Sequence, residues 1–247
     1  MPVSRRVLLS QLGIIGVAAV SGLSLPGPVF AADGSGGTGK LKIGVVGAGW
    51  LGGTVARRWV SAGHQVMFSS RNIDDMKAVV RPLGENALAE TPLEAATFGQ
   101  VILFAVPYDA LPELGKQLAG AINGKVVLDA CNPSEWADTP LTRETKQNGV
   151  GVTSMKLLPG SRLVRVFNST DASAIESSGS GGRIRLGVPL ASNDKGALEV
   201  AARLVTDAGC DPVITGDFST SRGFEAGGAG FRANTSAREL RRLLKLS

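Results

Sequence analysis

"GVVGAGWLGG", Gly44 to Gly53, decides the fold. The run Leu41 to Val46 that leads into it is short, almost wholly apolar and stopped by glycine, as a strand buried on both faces of a parallel sheet would be. Behind it, Leu51, Val55, Trp59 and Ala62 share one face of a helix predicted from Trp50 to Ala62, and Gly63 ends that helix. Gly47-Ala48-Gly49-Trp50-Leu51-Gly52 therefore carries GxGxxG spacing between a strand and a helix, the context in which the pattern has meaning. Gly47 is expected to permit the tight turn, Gly49 to let a pyrophosphate approach the backbone, and Gly52 to let the helix lie close to the strand. Amide groups without intrahelical partners at the helix start attract negative charge.

Outward from this turn, strand and helix periods alternate. Strands are predicted at Gln65–Ser69, Val101–Val106, Lys125–Asp129, Leu163–Phe167, Leu186–Ala191 and Val213–Thr215. Helices are predicted at Asp74–Arg81, Pro112–Ile122, Thr153–Leu158 and Lys195–Ala208, and from Ser236 to Leu244. "TPLE" at Thr91 and "SARE" at Ser236 are capping boxes that mark helix starts. "SSGSGG" (Ser177–Gly182) and "AGGAG" (Ala226–Gly230) read as mobile loops. The fold class is α/β: a Rossmann-type, doubly wound, mainly parallel sheet with a small C-terminal addition. Such a sheet binds ligands beyond the carboxyl ends of its strands.

At the end of the second strand stands Ser69-Ser70-Arg71-Asn72, where NAD sites place an acid on the ribose hydroxyls. Two hydroxyls and a guanidinium fork suit a 2′-phosphate, so the cofactor is read as NADP(H). The bland alternative, serines capping the next helix beside a solvated Arg71, stays open. The third strand ends in Ala105, Val106 and Pro107, a flat apolar wall. The next ends in Cys131, Asn132 and Pro133, expected at the nicotinamide end. Asn132 either hydrogen-bonds the carboxamide or merely starts a turn before proline. Tyr108 either covers the cofactor or lies on the surface.

Acid and base groups are scarce. The single histidine, His64, follows Gly63 at the start of the second strand, far from the nicotinamide end, and reads as a surface residue. No YxxxK pair accompanies Tyr108, and no Ser/His/Asp set can form at the site. No catalytic side chain and no metal site are assigned. This disfavours carbonyl reductions that need a proton donor, and favours hydride transfer to a flavin or deazaflavin ring, where stacking supplies most of the effect.

The chain is 247 residues long, 43% hydrophobic and 19% charged, which suits a soluble globular protein. Its formal charge of +5 falls to +3 (24 basic against 21 acidic residues) once Arg5 and Arg6 are set aside, too little to argue for nucleic acid. Those arginines precede the apolar run Val7–Val20 and the breaker "LPGPVFAAD". Residues 1–31 read as a twin-arginine-type signal cleaved after Ala31, with an ordinary secretory signal or an uncleaved anchor as the alternative, and the protein is expected in the periplasm or outside the cell. Gln11 interrupts the run, so membrane contact is expected only through an uncleaved leader. A route that carries folded proteins would allow a cofactor to be loaded before export. Residues 32–40 form a Gly-rich linker, 41–218 the nucleotide-binding domain, and 219–247 a tail with a short helix. Cys131 and Cys210 are read as unpaired, partly buried thiols.

In order, "KIGVVGAGWLG", "SSR", "FAVPYDALPEL", "GKVVLDACNP", "LPGSRLVRVFN", "GVPLASND" and "DAGCDPVITGDFSTSR" resemble the NADPH-dependent coenzyme F-420 oxidoreductase-like family over about residues 42–222. Pyrroline-5-carboxylate reductase and the reductase domain of STEAP metalloreductases share that family's fold. The resemblance implies NADPH held by Gly47, Gly49, Gly52, Ser69, Ser70 and Arg71. It implies an acceptor stacked near Val106, Pro107, Cys131 and Asn132. Two further functions stay open, a non-catalytic NADP-binding protein and a metalloreductase-like electron-transfer component, as does a homodimer.

Overall fold

The computed structural model describes residues 39–246. The leader and most of the linker, residues 1–38, lie outside the described residues. The elements run β1 (Lys42–Val46), α1 (Trp50–Ser61), β2 (Gln65–Ser69), α2 (Ile73–Val80), β3 (Ala87–Ala89), α3 (Pro92–Phe98), β4 (Val101–Phe104), α4 (Leu111–Ile122) and β5 (Val126–Asp129). Then follow α5 (Pro140–Asn148), α6 (Val150–Leu157), β6 (Arg162–Val166), α7 (Ala172–Gly179), β7 (Gly187–Ala191), α8 (Lys195–Asp207), β8 (Asp211–Gly216) and α9 (Ala237–Leu243).

The eight strands lie in the order β3-β2-β1-β4-β5-β6-β7-β8. From β3 to β6 all neighbours are parallel, the succession of a doubly wound nucleotide-binding sheet. β7 reverses against β6 through Arg165↔Ala191 and Val166↔Leu190, and β8 then pairs parallel to β7. The winding changes direction between β1 and β4, so a crevice opens beyond Val46 and Phe104.

Apolar residues cover both faces of the sheet, which explains why β4 reads as an unbroken hydrophobic run and β1 and β5 as nearly so. One face packs against Val55, Ala56 and Trp59 of α1 and Leu198, Leu204 and Val205 of α8; the other packs against Leu111, Leu118 and Ile122 of α4. Trp59 donates from Nε1 to the Leu204 carbonyl at 2.8 Å and meets Phe167 edge to face at 6.0 Å. Thr91 caps α3 with Glu94 in the expected box, and Ser236 caps α9.

Several elements differ from the sequence expectation, among them β3, which it did not include. Ser177, Ser178 and Gly179, read as loop, complete α7; its small residues sit against α1, where Arg58 donates to the Gly179 carbonyl. α5 is polar along most of its length and hides only Thr142 and Thr145, so it shows no apolar stripe. Residues 219–246 lie against β7 and β8. A short 3-10 helix runs Phe218–Phe224, Ser236 bridges to Leu186, and Ala237 and Leu240 cover Val213.

Candidate nucleotide-binding site

Gly47 holds φ at +96°, a conformation that a side chain resists. A Cβ there would lie 2.5 Å from the Ala105 carbonyl oxygen and 2.6 Å from Val106. The end of β4 thus closes directly on the loop. The Gly47 and Ala48 amides both donate to the Ser69 carbonyl, at 3.2 and 2.8 Å, which ties the loop to the end of β2. A Cβ on Gly52 would sit 2.2 Å from the Gly47 carbonyl oxygen, so α1 can lie this close only with glycine there. Gly49 is the opposite case: a Cβ would meet nothing within 4 Å. It is the N-cap of α1, has no side chain to cap it, and no acid occupies the first turn. The amides at the start of α1 therefore face open space uncontested, as the pyrophosphate of a dinucleotide requires. Trp50 opens the helix 76% exposed, while Leu51 packs partly against the core.

At the end of β2, the structure separates the residues grouped by sequence. Ser69 is fully buried and donates its hydroxyl to the Val45 carbonyl at 2.8 Å, so that hydroxyl is not offered to a phosphate. Ser70 donates to the Asn72 carbonyl at 2.6 Å, and Arg71 is exposed. Asn72, not a serine, caps α2 by accepting from the Asp75 amide.

Beyond β4 and β5, Ala105 and Val106 are half-buried and Pro107 is exposed, which leaves an apolar edge on the crevice. Cys131 is buried; its thiol accepts from the Val106 amide at 3.4 Å and joins the two strand ends. Burial pushes this thiol well above its ordinary range, with the Asp129 charge adding to the effect, so it stays protonated. Cys210 is likewise free and buried. Both cysteines are more deeply enclosed than the sequence suggested.

Tyr108 is neither a cofactor cover nor a surface residue. It is 2% exposed, and its hydroxyl lies 3.1 Å from Ser154 Oγ and 3.4 Å from the Val150 carbonyl. Burial raises its pKa far enough to remove it from acid–base work. His64 also corrects the sequence reading: it is 1% exposed, held between the Leu41 amide (3.1 Å to Nδ1) and Asp207 (3.0 Å from Nε2) at the amino edge of the sheet. Its distance from the crevice stands, but its place on the surface does not.

Sequence reasoning missed the groups that shape the β5 turn. Arg165 and Asp129 are both fully buried and form an ion pair at 2.8 Å. The signal was a charge in an otherwise apolar strand, Asp129 in "VVLD" and Arg165 in "RLVRV", since a buried charge must find a partner. Beside the turn lies a cavity of about 460 Å³, lined by Asn132, Pro133, Val150, Glu225 and Phe231 among others. Lys146, Arg222 and Glu135 supply its exposed charges. Glu225 is 7% exposed and accepts from the Val150 and Gly151 amides and from Ser221 Oγ. Among the described residues, no helix is long and apolar enough to cross a membrane.

Sheet order, switch point and glycine cradle define a Rossmann-type α/β protein. Residues 42–133, from β1 through the turn after β5, match the family described as NADP oxidoreductase coenzyme F420-dependent, and over that segment the resemblance drawn from the motifs holds. Metalloreductase STEAP3 of Rattus norvegicus is 25% identical over 185 residues, 75% of this chain. This chain spans only 36% of that protein's length. A hypothetical protein from Sinorhizobium meliloti has a similar structure, with TM-score 0.64 and 24% identity over 81% of this chain and 94% of that one. A protein from Arthrobacter sp. FB24 described as an F420-dependent NADP-reductase gives TM-score 0.61 and 24% identity over 74% and 88%. Plasmodium falciparum pyrroline carboxylate reductase, solved with NADP bound, gives 0.52 and 12% over 75% and 62%. These structural likenesses establish the fold.

Proposed function

We propose that the protein is an NADP(H)-dependent oxidoreductase that passes hydride between the nicotinamide and a planar flavin- or deazaflavin-like acceptor. We further propose that it acts in the periplasm or outside the cell after twin-arginine-type export. The observation that carries the reading is the open face of Gly49 above the start of α1, between two glycines that have no room for a side chain. When bound, NADPH supplies the hydride. The amides of Gly49 to Gly52 hold the pyrophosphate, and Arg71 takes the 2′-phosphate, joined by Ser70 once its hydroxyl turns from the Asn72 carbonyl, with no acid at the end of β2 to repel it. Val106 and Pro107 back the crevice, and the cavity beside Asn132 receives the acceptor. Tyr108 and Cys131 keep their protons, in accord with a transfer that asks little of acid catalysis.

Titration with NADPH and NADH tests this. Arg71→Ala should weaken NADPH about tenfold or more, the scale of a lost charge-assisted contact, and leave NADH nearly unchanged. An equal loss for both refutes the role of Arg71. Loss of NADPH absorbance on adding flavin or deazaflavin tests the transfer itself, and its absence would leave a non-catalytic NADP-binding protein. The likeness to the rat metalloreductase supports a second reading, electron transfer to a membrane partner. Acceptor reduction that needs a membrane fraction would favour it.

A further inference from the structure

Asn132 leaves β5 with both ends of its amide engaged. Oδ1 accepts from Arg165 Nη2 at 3.1 Å, and Nδ2 donates to the Asn168 carbonyl at 2.6 Å. A guanidinium can only donate and a carbonyl can only accept, so these partners fix which way the amide points. One N–H and one lone pair remain free on it. The residue is half-buried and lines the cavity, the space where the nicotinamide end is expected.

The supports behind Asn132 are rigid. Arg165 has no exposed surface and donates through Nη1 to Asp129 Oδ2 (2.8 Å), the Asp129 carbonyl (3.2 Å) and the Cys131 carbonyl (2.7 Å). One guanidinium thus gathers residues 129, 131 and 132 around itself. Asn168 is held in turn by its donation to the Phe224 carbonyl at 3.1 Å. Phe167, just before it, is a fully buried aromatic at φ +63°, a left-handed conformation that bulky residues rarely hold. Arg165 Nε and Asn168 Oδ1 stay buried without partners. Strain and unmet polar atoms concentrated at one turn mark a place shaped for more than stability.

We infer that Asn132 reads the primary carboxamide of the nicotinamide through a paired amide–amide contact, and that Arg165 and Asn168 are positioning residues that present it in one orientation. The inference rests on the NADP(H) reading. The carboxamide oxygen accepts the remaining Nδ2–H, and the carboxamide NH₂ donates to the remaining Oδ1 lone pair. Because the protein amide cannot flip without breaking both supports, the carboxamide is held one way round, and with it the ring face turned to the cavity.

The test compares binding of NADP⁺ and of 2′-phospho-ADP-ribose, which keeps the phosphates and lacks the nicotinamide, by calorimetry on the full chain. Asn132→Ala and Asn132→Asp, which keeps the acceptor and loses the donor, should each weaken NADP⁺ about tenfold and leave the fragment within about twofold. Arg165→Lys, which keeps the charge and loses the fork, should show the same selective loss at about threefold or more. Equal losses on both ligands would reduce these residues to a structural role and overturn the inference, as would no loss on either. Should Arg165→Lys fail to fold, the two Asn132 variants still decide. Failure of the unaltered chain to bind either ligand removes the NADP(H) reading first and this inference with it.

Discussion

Gly49 and Gly52 are three positions apart, and a methyl group does opposite things at each. On Gly49 it points into open space, so Gly49→Ala should leave the melting temperature within about a degree while filling the approach to the amides of α1. NADPH affinity should fall about tenfold or more by titration. On Gly52 it would lie 2.2 Å from the Gly47 carbonyl oxygen, and α1 must shift. Gly52→Ala should cost about 1–3 kcal/mol, the range for overpacking, and lower the melting temperature by about 2–12 °C by calorimetry. Matching thermal behaviour in the two variants would contradict this division of roles. The roles of Gly47 and Gly52 were legible in sequence because strand–turn–helix geometry alone imposes them. The buried hydroxyl of Ser69 was not, because a strand covered on both faces keeps no alternation to show where a side chain points.

At the scale of elements, α6 has a start that depends on a distant residue. It follows Gly149, which has no side chain to cap it, and the Glu225 carboxylate accepts from the first two amides across 75 and 74 positions of chain. A carboxylate at a helix start is also favoured by the helix dipole. Glu225→Ala would leave those amides and Ser221 Oγ without their buried acceptor. The expected loss is about 2–3 kcal/mol, seen as a fall of about 4–12 °C in melting temperature. A change under a degree would mean that water replaces the carboxylate at no cost. Contacts of this kind leave no local trace, so the sequence placed a helix at Thr153–Leu158 but missed its true start at Val150. The same blindness hid α5 and α7. One is polar and the other is built of small residues, and periodicity speaks only where large apolar side chains repeat. β1, α1, β4 and α8 carry such repeats, and they stood out.

Taken whole, the molecule divides its chemistry between two edges of one sheet. The carboxyl edge holds the cradle, the Arg165 turn and the cavity, while the amino edge holds His64, whose burial the sequence did not reveal because its partners come from the residue before β1 and from the far end of α8. The Leu41 amide can only donate, so Nδ1 must accept and the ring proton sits on Nε2 facing Asp207. A second proton has no place without breaking the Leu41 contact. Burial holds the His64 pKa below its ordinary 6.5; Asp207 opposes that shift, while Arg203 and Lys40 add to it. The unfolded chain therefore binds this proton at a higher pH than the folded one. The stability His64 contributes is complete above about pH 6.5 and is lost as pH falls from there through the lower folded value. Each unit of depression withdraws about 1.4 kcal/mol, or about 3–6 °C of melting temperature at this size. Melting curves between pH 8 and pH 5 should show wild type losing stability on the acid side, and His64→Gln, which cannot titrate, should lack that component. Parallel curves would show that protonation is accommodated at no cost. Because His64 lies at the opposite edge from the glycine loop, NADPH affinity at pH 7.5 should be the same in both proteins, which separates the stability of the sheet from the chemistry at its other end.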